Sequence, residues 1–207
     1  MKREDALDST VLVEMASISA GYPFRGKIDK LPQGDVAVIQ MRNASPETGI
    51  DWPELIQVEL PRSSEKAFLN SGDIILSTRG GRNFAYCIDK GRGSVVCSPH
   101  FFVIRPMRDA VLPEFLAWQI NQMPAQNYLA AGATGSYILN LKRAVVERLP
   151  IVLPSFERQD SIVHADQAAR AERLVLNQLI QNRTKEMNAL AKEVLSDISA
   201  HPEREFT

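Results

Sequence analysis

Two glycine-bracketed runs concentrate the side chains that could act on another molecule: Thr78-Arg79-Gly80-Gly81-Arg82-Asn83 and Lys90-Gly91-Arg92-Gly93-Ser94. Glycine lets a backbone approach a phosphate closely, and Arg and Asn address guanine and adenine edges with paired hydrogen bonds. A third loop, Gly21-Tyr22-Pro23-Phe24-Arg25-Gly26-Lys27, adds Arg25 and Lys27 beside two aromatics. From Ser77 to Ala110, six cations stand against Asp89 and Asp109, a local +4 in a chain of net charge -1. This pattern points toward nucleic-acid contact. An Arg in a glycine turn also serves simply as a solvated charge, and composition alone does not separate the two.

Catalytic chemistry has little to stand on. No Gly-x-Gly-x-x-Gly or Gly-x-Ser-x-Gly run occurs, and no Gly-x-x-x-x-Gly-Lys run is followed by Ser or Thr, Gly21 to Lys27 leading into Ile28. His100, His164 and His201 lie far apart, so neither a triad nor a metal site is suggested. Asp73, in Gly72-Asp73-Ile74-Ile75-Leu76, is the one carboxylate to weigh for a nuclease, with Glu65 and Asp89 nearest in sequence. The plainer reading is an Asp in the turn that opens a strand, bonded to its own backbone. Cys87 and Cys97 fit no zinc or disulfide pattern and read as two buried strand thiols of a reducing cytoplasm.

The elements that must hold these loops change character near Pro154. Before it, short apolar runs alternate with Gly and Pro. Val11 to Ile18, Val36 to Met41, Ile74 to Thr78, Phe84 to Ile88, Val95 to Ile104 and Ile151 to Leu153 read as strands. Their spacing suggests one mixed, curled sheet. Pro113 opens a helix whose Leu116, Ile120 and Met123 face the core, followed by a second from Ala125 to Ala131.

Residues 156–199 carry no glycine or proline and step apolar positions by four and three: Ile162, Ala169, Leu176, Ile180, Met187, Leu190 and Val194. Such a helix is about 64 Å long, more than a small domain's diameter. Its stripe is expected to meet a helix of another chain; packing along its own domain is the alternative. The fold class expected is therefore α+β: a sheet domain followed by one long coiled-coil-forming C-terminal helix.

Whole-chain composition sets bounds. With 24 Lys+Arg against 25 Asp+Glu, this is not a tail-type polycation, and 44% hydrophobic residues support a folded core. The polar start and the lack of long apolar runs predict a cytoplasmic protein with neither signal peptide nor membrane span.

The order of motifs resembles one half of a specificity (S) subunit of type I restriction–modification enzymes. The residues that carry it are Gly21-Tyr22-Pro23-Phe24, then Val38-Ile39-Gln40-Met41-Arg42-Asn43, then Gly72 to Gly80. Phe102-Val103-Ile104-Arg105-Pro106 follows, then Pro113-Glu114-Phe115-Leu116, Ala133-Thr134-Gly135-Ser136 with Leu139, and Leu149 to Gln159. Pro154-Ser155 and Glu157-Arg158-Gln159 depart from the family's usual Pro-Pro and Glu-Gln, which bears on which methyltransferase the helix accepts.

The resemblance implies a target-recognition domain over about 1–155, a conserved-region helix over 156–199 and a flexible tail over 200–207. It implies double-stranded DNA and a DNA methyltransferase (modification) subunit as partners, with a restriction subunit as a further one. The chain itself would be non-catalytic and hold no cofactor, S-adenosylmethionine residing on the methyltransferase. One recognition unit implies a homodimer through the helices and a bipartite palindromic target. The residues expected at the DNA are Arg79, Arg82 and Asn83, then Lys27, Arg42, Arg92 and Ser136. Tyr22 is either a contact or a packing residue, and Ser136 either a contact or part of the turn that ends the second helix. The alternative is an S-like adaptor of a phage-defence system without sequence reading of its own.

Overall fold

The computed structural model describes residues 8–26, 28, 31, 33–46, 48–79, 83–89, 93–107, 109–135 and 140–200, with the side chains of 8 and 197–200 excepted. In chain order come β1 (Asp8–Val11), β2 (Ala16–Ala20), β3 (Val36–Ile39), β4 (Ala44–Ser45), β5 (Gly49–Ile50), β6 (Ile56–Val58), β7 (Ile74–Ser77), β8 (Ala85–Cys87), β9 (Val95–Cys97) and β10 (Phe101–Pro106). Then follow α1 (Pro113–Ile120), α2 (Met123–Gly132), α3 (Arg143–Glu147), β11 (Pro150–Leu153) and α4 (Phe156–Ala200).

The α+β class with a long C-terminal helix is borne out, whereas the single curled sheet is corrected. Four open sheets form among the described residues: β2-β10-β7-β8, β6-β3-β9, and the pairs β1-β11 and β4-β5. All pairings are antiparallel except β3 with β9, which is what makes the β-structure mixed. One curled sheet would need unbroken strands, and two of the expected ones break. Leu12–Glu14 forms a 3-10 turn that separates β1 from β2, and Ser98-Pro99-His100 separates β9 from β10.

Strand alternation sorts the side chains into three apolar layers. Ile74 and Leu76 of β7 and Ile104 of β10 face α1, α2 and α3, where Phe115, Leu116, Ile120, Leu129 and Val146 cover them. Ile75, Phe101 and Val103 point the other way, onto Ile39, Val95 and Cys97 of the three-stranded sheet. The far face of that sheet, Val36, Val38, Ile56, Val58 and Val96, is covered by Tyr22, Phe24 and Ile28. The loop singled out for its aromatics therefore roofs the third layer.

α1 and α2 both start with Pro in the first turn, where no backbone N–H is needed. Met123, expected in the core stripe of the first helix, instead opens the second and is 69% exposed. Two amides close strand edges. Asn121 exchanges hydrogen bonds with both Ala85 N and O (2.9 and 2.8 Å), and Gln119 does the same with Val152 (3.0 Å each). Each side chain acts as one residue of an added strand and blunts an exposed edge.

The chain divides into two compact units, Met1–Val163 and His164–Thr207. The division falls inside α4 because its first two turns belong to the globule's core. Ser155 Oγ accepts from Arg158 N (3.4 Å), an N-cap where the family's second proline would give none. Gln159, 1% exposed, accepts from Leu112 N and donates to Pro154 O (both 2.9 Å), and Val163 is buried beside it. No helix among the described residues is long and apolar enough to cross a membrane.

Candidate nucleic-acid interface

Arg79 stands just beyond the end of β7. Thr78 fixes its approach: the Thr78 backbone N–H (2.9 Å) and hydroxyl (3.0 Å) both donate to His100 O, and Thr78 O accepts from Leu141 N (2.9 Å). Arg79 itself forms a β-bridge with Asn140, which bridges Thr134 in turn. An exposed guanidinium is thus carried on a backbone locked from two sides. The far end of the same loop is tied by Asn83, whose amide donates to Ser77 O (2.6 Å), while Phe84 N donates to Ser77 Oγ (2.9 Å). Asn83 is half-buried and holds the loop's neck, a positioning role that its choice as a base reader did not foresee.

A second group assembles at the Ser98-Pro99-His100 turn. Gly21 N donates to Phe101 O (2.9 Å) and Tyr22 N to Cys97 O (2.8 Å), which presses the Tyr22 loop onto the Ser98 turn. A Cβ at Gly21 would lie 2.2 Å from Ser98 O, so only glycine fits there. Tyr22 stacks edge-on against Phe24 (4.7 Å, 69°) and its hydroxyl accepts from Ser64 Oγ (3.2 Å), so Tyr22 packs and orients Phe24. Opposite this loop, Gln40 starts the 3-10 turn Met41–Asn43 and carries Arg42 at its exposed side.

Between them lies a pocket of about 390 Å³, lined among others by Phe24, Ile28, Gln40, Arg42, Ser98 and His100. Gln40 Nε2 and Ser98 Oγ are buried here without a hydrogen-bond partner, each a cost of about 1–3 kcal/mol that native structures rarely carry unused. Burial first, then the positive charge of Arg79, pushes the His100 pKa below its usual value. His100 is therefore neutral at pH 7.

Not every cation is available. Arg105 pairs with Asp73 (Nε to Oδ2, 3.1 Å) and donates to Phe68 O (2.9 Å), which consumes one of the positive charges counted between Ser77 and Ala110. Asp73, 5% exposed, also accepts from Asn70 N (2.9 Å). Its position is that of the turn-closing Asp, stabilised further by Arg105. No cluster of three or more metal-ligating side chains exists among the described residues. Cys97 is buried and its pKa is pushed up to about 12, chiefly by desolvation; Cys87 is only half-buried, contrary to the expectation of two buried thiols.

The structure thus brings Arg79, Arg42 and the Tyr22–Phe24 turn around His100 and leaves Asn83 at the loop neck. Lys27, Arg82, Arg92 and Ser136 lie outside the described residues. Sequence reasoning passed over Gln40, Ser98 and Asn140 and weighed His100 only as a catalytic or metal-binding group. Their shared signal is faint: polar residues at strand ends, significant only once the fold makes them converge.

On α4, Leu176, Ile180, Met187, Leu190 and Val194 are 52–64% exposed, and Val175, Leu179 and Leu195 widen the stripe. Ala169 is exposed as well. Ile162 is not part of this face: it packs on the core of the preceding unit. Asp166 and Arg183, which interrupt the stripe, pair along the helix with Arg170 (2.7 Å) and Glu186 (3.0 Å).

No family model matches the chain, and no curated protein does. Solved structures do match. The S subunit of a type I restriction–modification system from M. genitalium is 15% identical at a TM-score of 0.60, over 97% of this chain and 49% of that one. The HsdS subunit from Thermoanaerobacter tengcongensis is 18% identical at 0.62, over 96% and 50%. A chain from a structure on assembly and conformational transition of the type I R-M system is 18% identical at 0.67, over 100% and 53%. The likeness read from the order of motifs is thus borne out at the level of the fold, and the chain spans about half the length of each structure it matches.

Proposed function

We propose that this chain, with the fold of one half of a type I specificity subunit, reads DNA sequence for a methyltransferase complex and does no chemistry itself. The observation that supports this most is the extent of the match: nearly all of this chain on about half of each neighbour. Residues up to Pro154 form the recognition domain. Arg79 and Arg42 approach DNA from either side of His100, phosphate contacts set the register, and a few side chains address base edges in the major groove. The α4 stripe docks the modification subunit and a second copy of this chain, restoring two recognition domains and a bipartite palindromic site. S-adenosylmethionine and the extruded target adenine belong to the modification subunit; a restriction subunit completes systems that cleave.

The test is a gel shift on random and enriched duplexes, with the methyltransferase alone and with this chain added. A specificity subunit adds sequence preference. An adaptor binds the enzyme and adds none, a reading that gains weight from Arg105 being neutralised internally; that result would replace the proposal.

A further inference from the structure

The pocket beneath the Tyr22 loop has a shape and a chemistry that phosphate contact does not use. Its volume, about 390 Å³, falls within the range of small-molecule sites, about 300–1,000 Å³. Phe24, Ile28, Met41 and Pro99 supply apolar walls, and Arg42 stands at the exposed edge. Two polar atoms in its lining residues, Gln40 Nε2 and Ser98 Oγ, have no partner, and Ser98 is only 3% exposed. His100 is held neutral, so it presents an imidazole and not a second cation.

We propose that this pocket binds a single nucleobase, with the phosphate of its nucleotide toward Arg42. A planar heterocycle suits apolar and aromatic walls, which stack on any base. Its edge always carries a ring nitrogen or carbonyl acceptor for the Gln40 amide, and Ser98 can donate or accept. Both atoms are covered in the unbound chain, so base binding requires Ser98 and Gln40 to turn about their side-chain torsions toward the ring. A base paired in duplex DNA cannot enter, so a base from DNA must leave the stack. The DNA source rests on the proposed function; the base-binding chemistry does not, because a free nucleotide carries the same groups.

Two probes on the whole chain separate the sources. In the first, each 2′-deoxynucleoside 5′-monophosphate is titrated while the His100 imidazole signals are followed by NMR. In the second, 2-aminopurine is placed at each position of a duplex enriched by selection, and its fluorescence is read on binding. The variant is Ser98→Ala, which removes a buried hydroxyl without a partner and so leaves the melting temperature the same or higher. Gln40 is spared because its side chain also caps the Met41–Asn43 turn.

We expect saturable nucleotide binding, weakened about fivefold or more in Ser98→Ala, the worth of one hydrogen bond. We also expect 2-aminopurine to brighten at one position per half-site in the native chain and less in the variant. Nucleotide binding without brightening assigns the pocket to free nucleotides and keeps its chemistry. Absence of both effects overturns the inference, water then satisfying the two atoms. Failure to enrich any duplex would overturn the proposed function, while the nucleotide titration would still decide the pocket.

Discussion

In the proposed function, sequence reading by this domain depends most on Arg79. The preceding Thr78 is held by His100 O and Arg79 itself bridges Asn140, so its side chain enters binding with little loop entropy left to lose. Arg79→Ala is expected to weaken specific binding by about 1–3 kcal/mol and relax one base position, measured by competition among single-base variants of the site. Equal losses on every sequence would make Arg79 a phosphate contact only. His100 gives a second test. Because burial and Arg79 hold its pKa below the usual value of about 6.5, the unfolded chain takes up the proton first. Stability contributed by neutral His100 is therefore present above pH 6.5 or so and is lost as pH falls through that value. The fall in melting temperature between about pH 7 and pH 5 should be smaller in His100→Gln than in the native chain. The cations were legible in the sequence because charge and glycine spacing announce themselves. Gln40 and Ser98 were not, because an orphaned amide or hydroxyl becomes meaningful only when two turns remote in sequence bury it.

The anchoring of α4 to its own domain can be tested at the scale of the element. Gln159 satisfies Leu112 N and Pro154 O from one buried side chain. Gln159→Ala orphans both and should cost about 2–4 kcal/mol, lowering the melting temperature by roughly 5–15 °C in calorimetry. The exposed stripe beyond Val163 predicts the opposite behaviour. Ile180→Glu, at a position 64% exposed, should leave the melting of the recognition domain unchanged and abolish self-association in sedimentation velocity. The helix itself was legible because forty residues without Gly or Pro carry one period. Most of the longer strands were legible too, apart from their breaks, whereas β1, β4, β5 and β6 were not among the expected ones. Leu12–Glu14 turns within an apolar run with no Gly or Pro to mark it, whereas the run Val95 to Ile104 breaks at Ser98-Pro99-His100, where Pro99 has no N–H to give a ladder. Asn121 and Gln119 as strand-edge closures depend on a tertiary approach that no local pattern encodes.

For the whole molecule, charge placement decides how binding must work. Residues 1–155 hold 17 basic and 16 acidic side chains, and 156–207 hold 7 and 9. The Arg105–Asp73 pair takes one charge of each sign out of this balance and leaves it near neutral. Under the proposed function a single copy therefore has little sequence-independent attraction to DNA, and useful affinity would come from two linked recognition domains and a basic partner. The 45 residues of α4 span about 68 Å, or two turns of DNA at about 34 Å each, which sets the scale of the gap between half-sites. The most direct test is selection from a random duplex pool with the purified chain and its methyltransferase, followed by sequencing of the bound fraction. The account predicts one short sequence enriched twice, in inverted orientation, across a fixed gap of unselected bases. A bound fraction as random as the starting pool would contradict it.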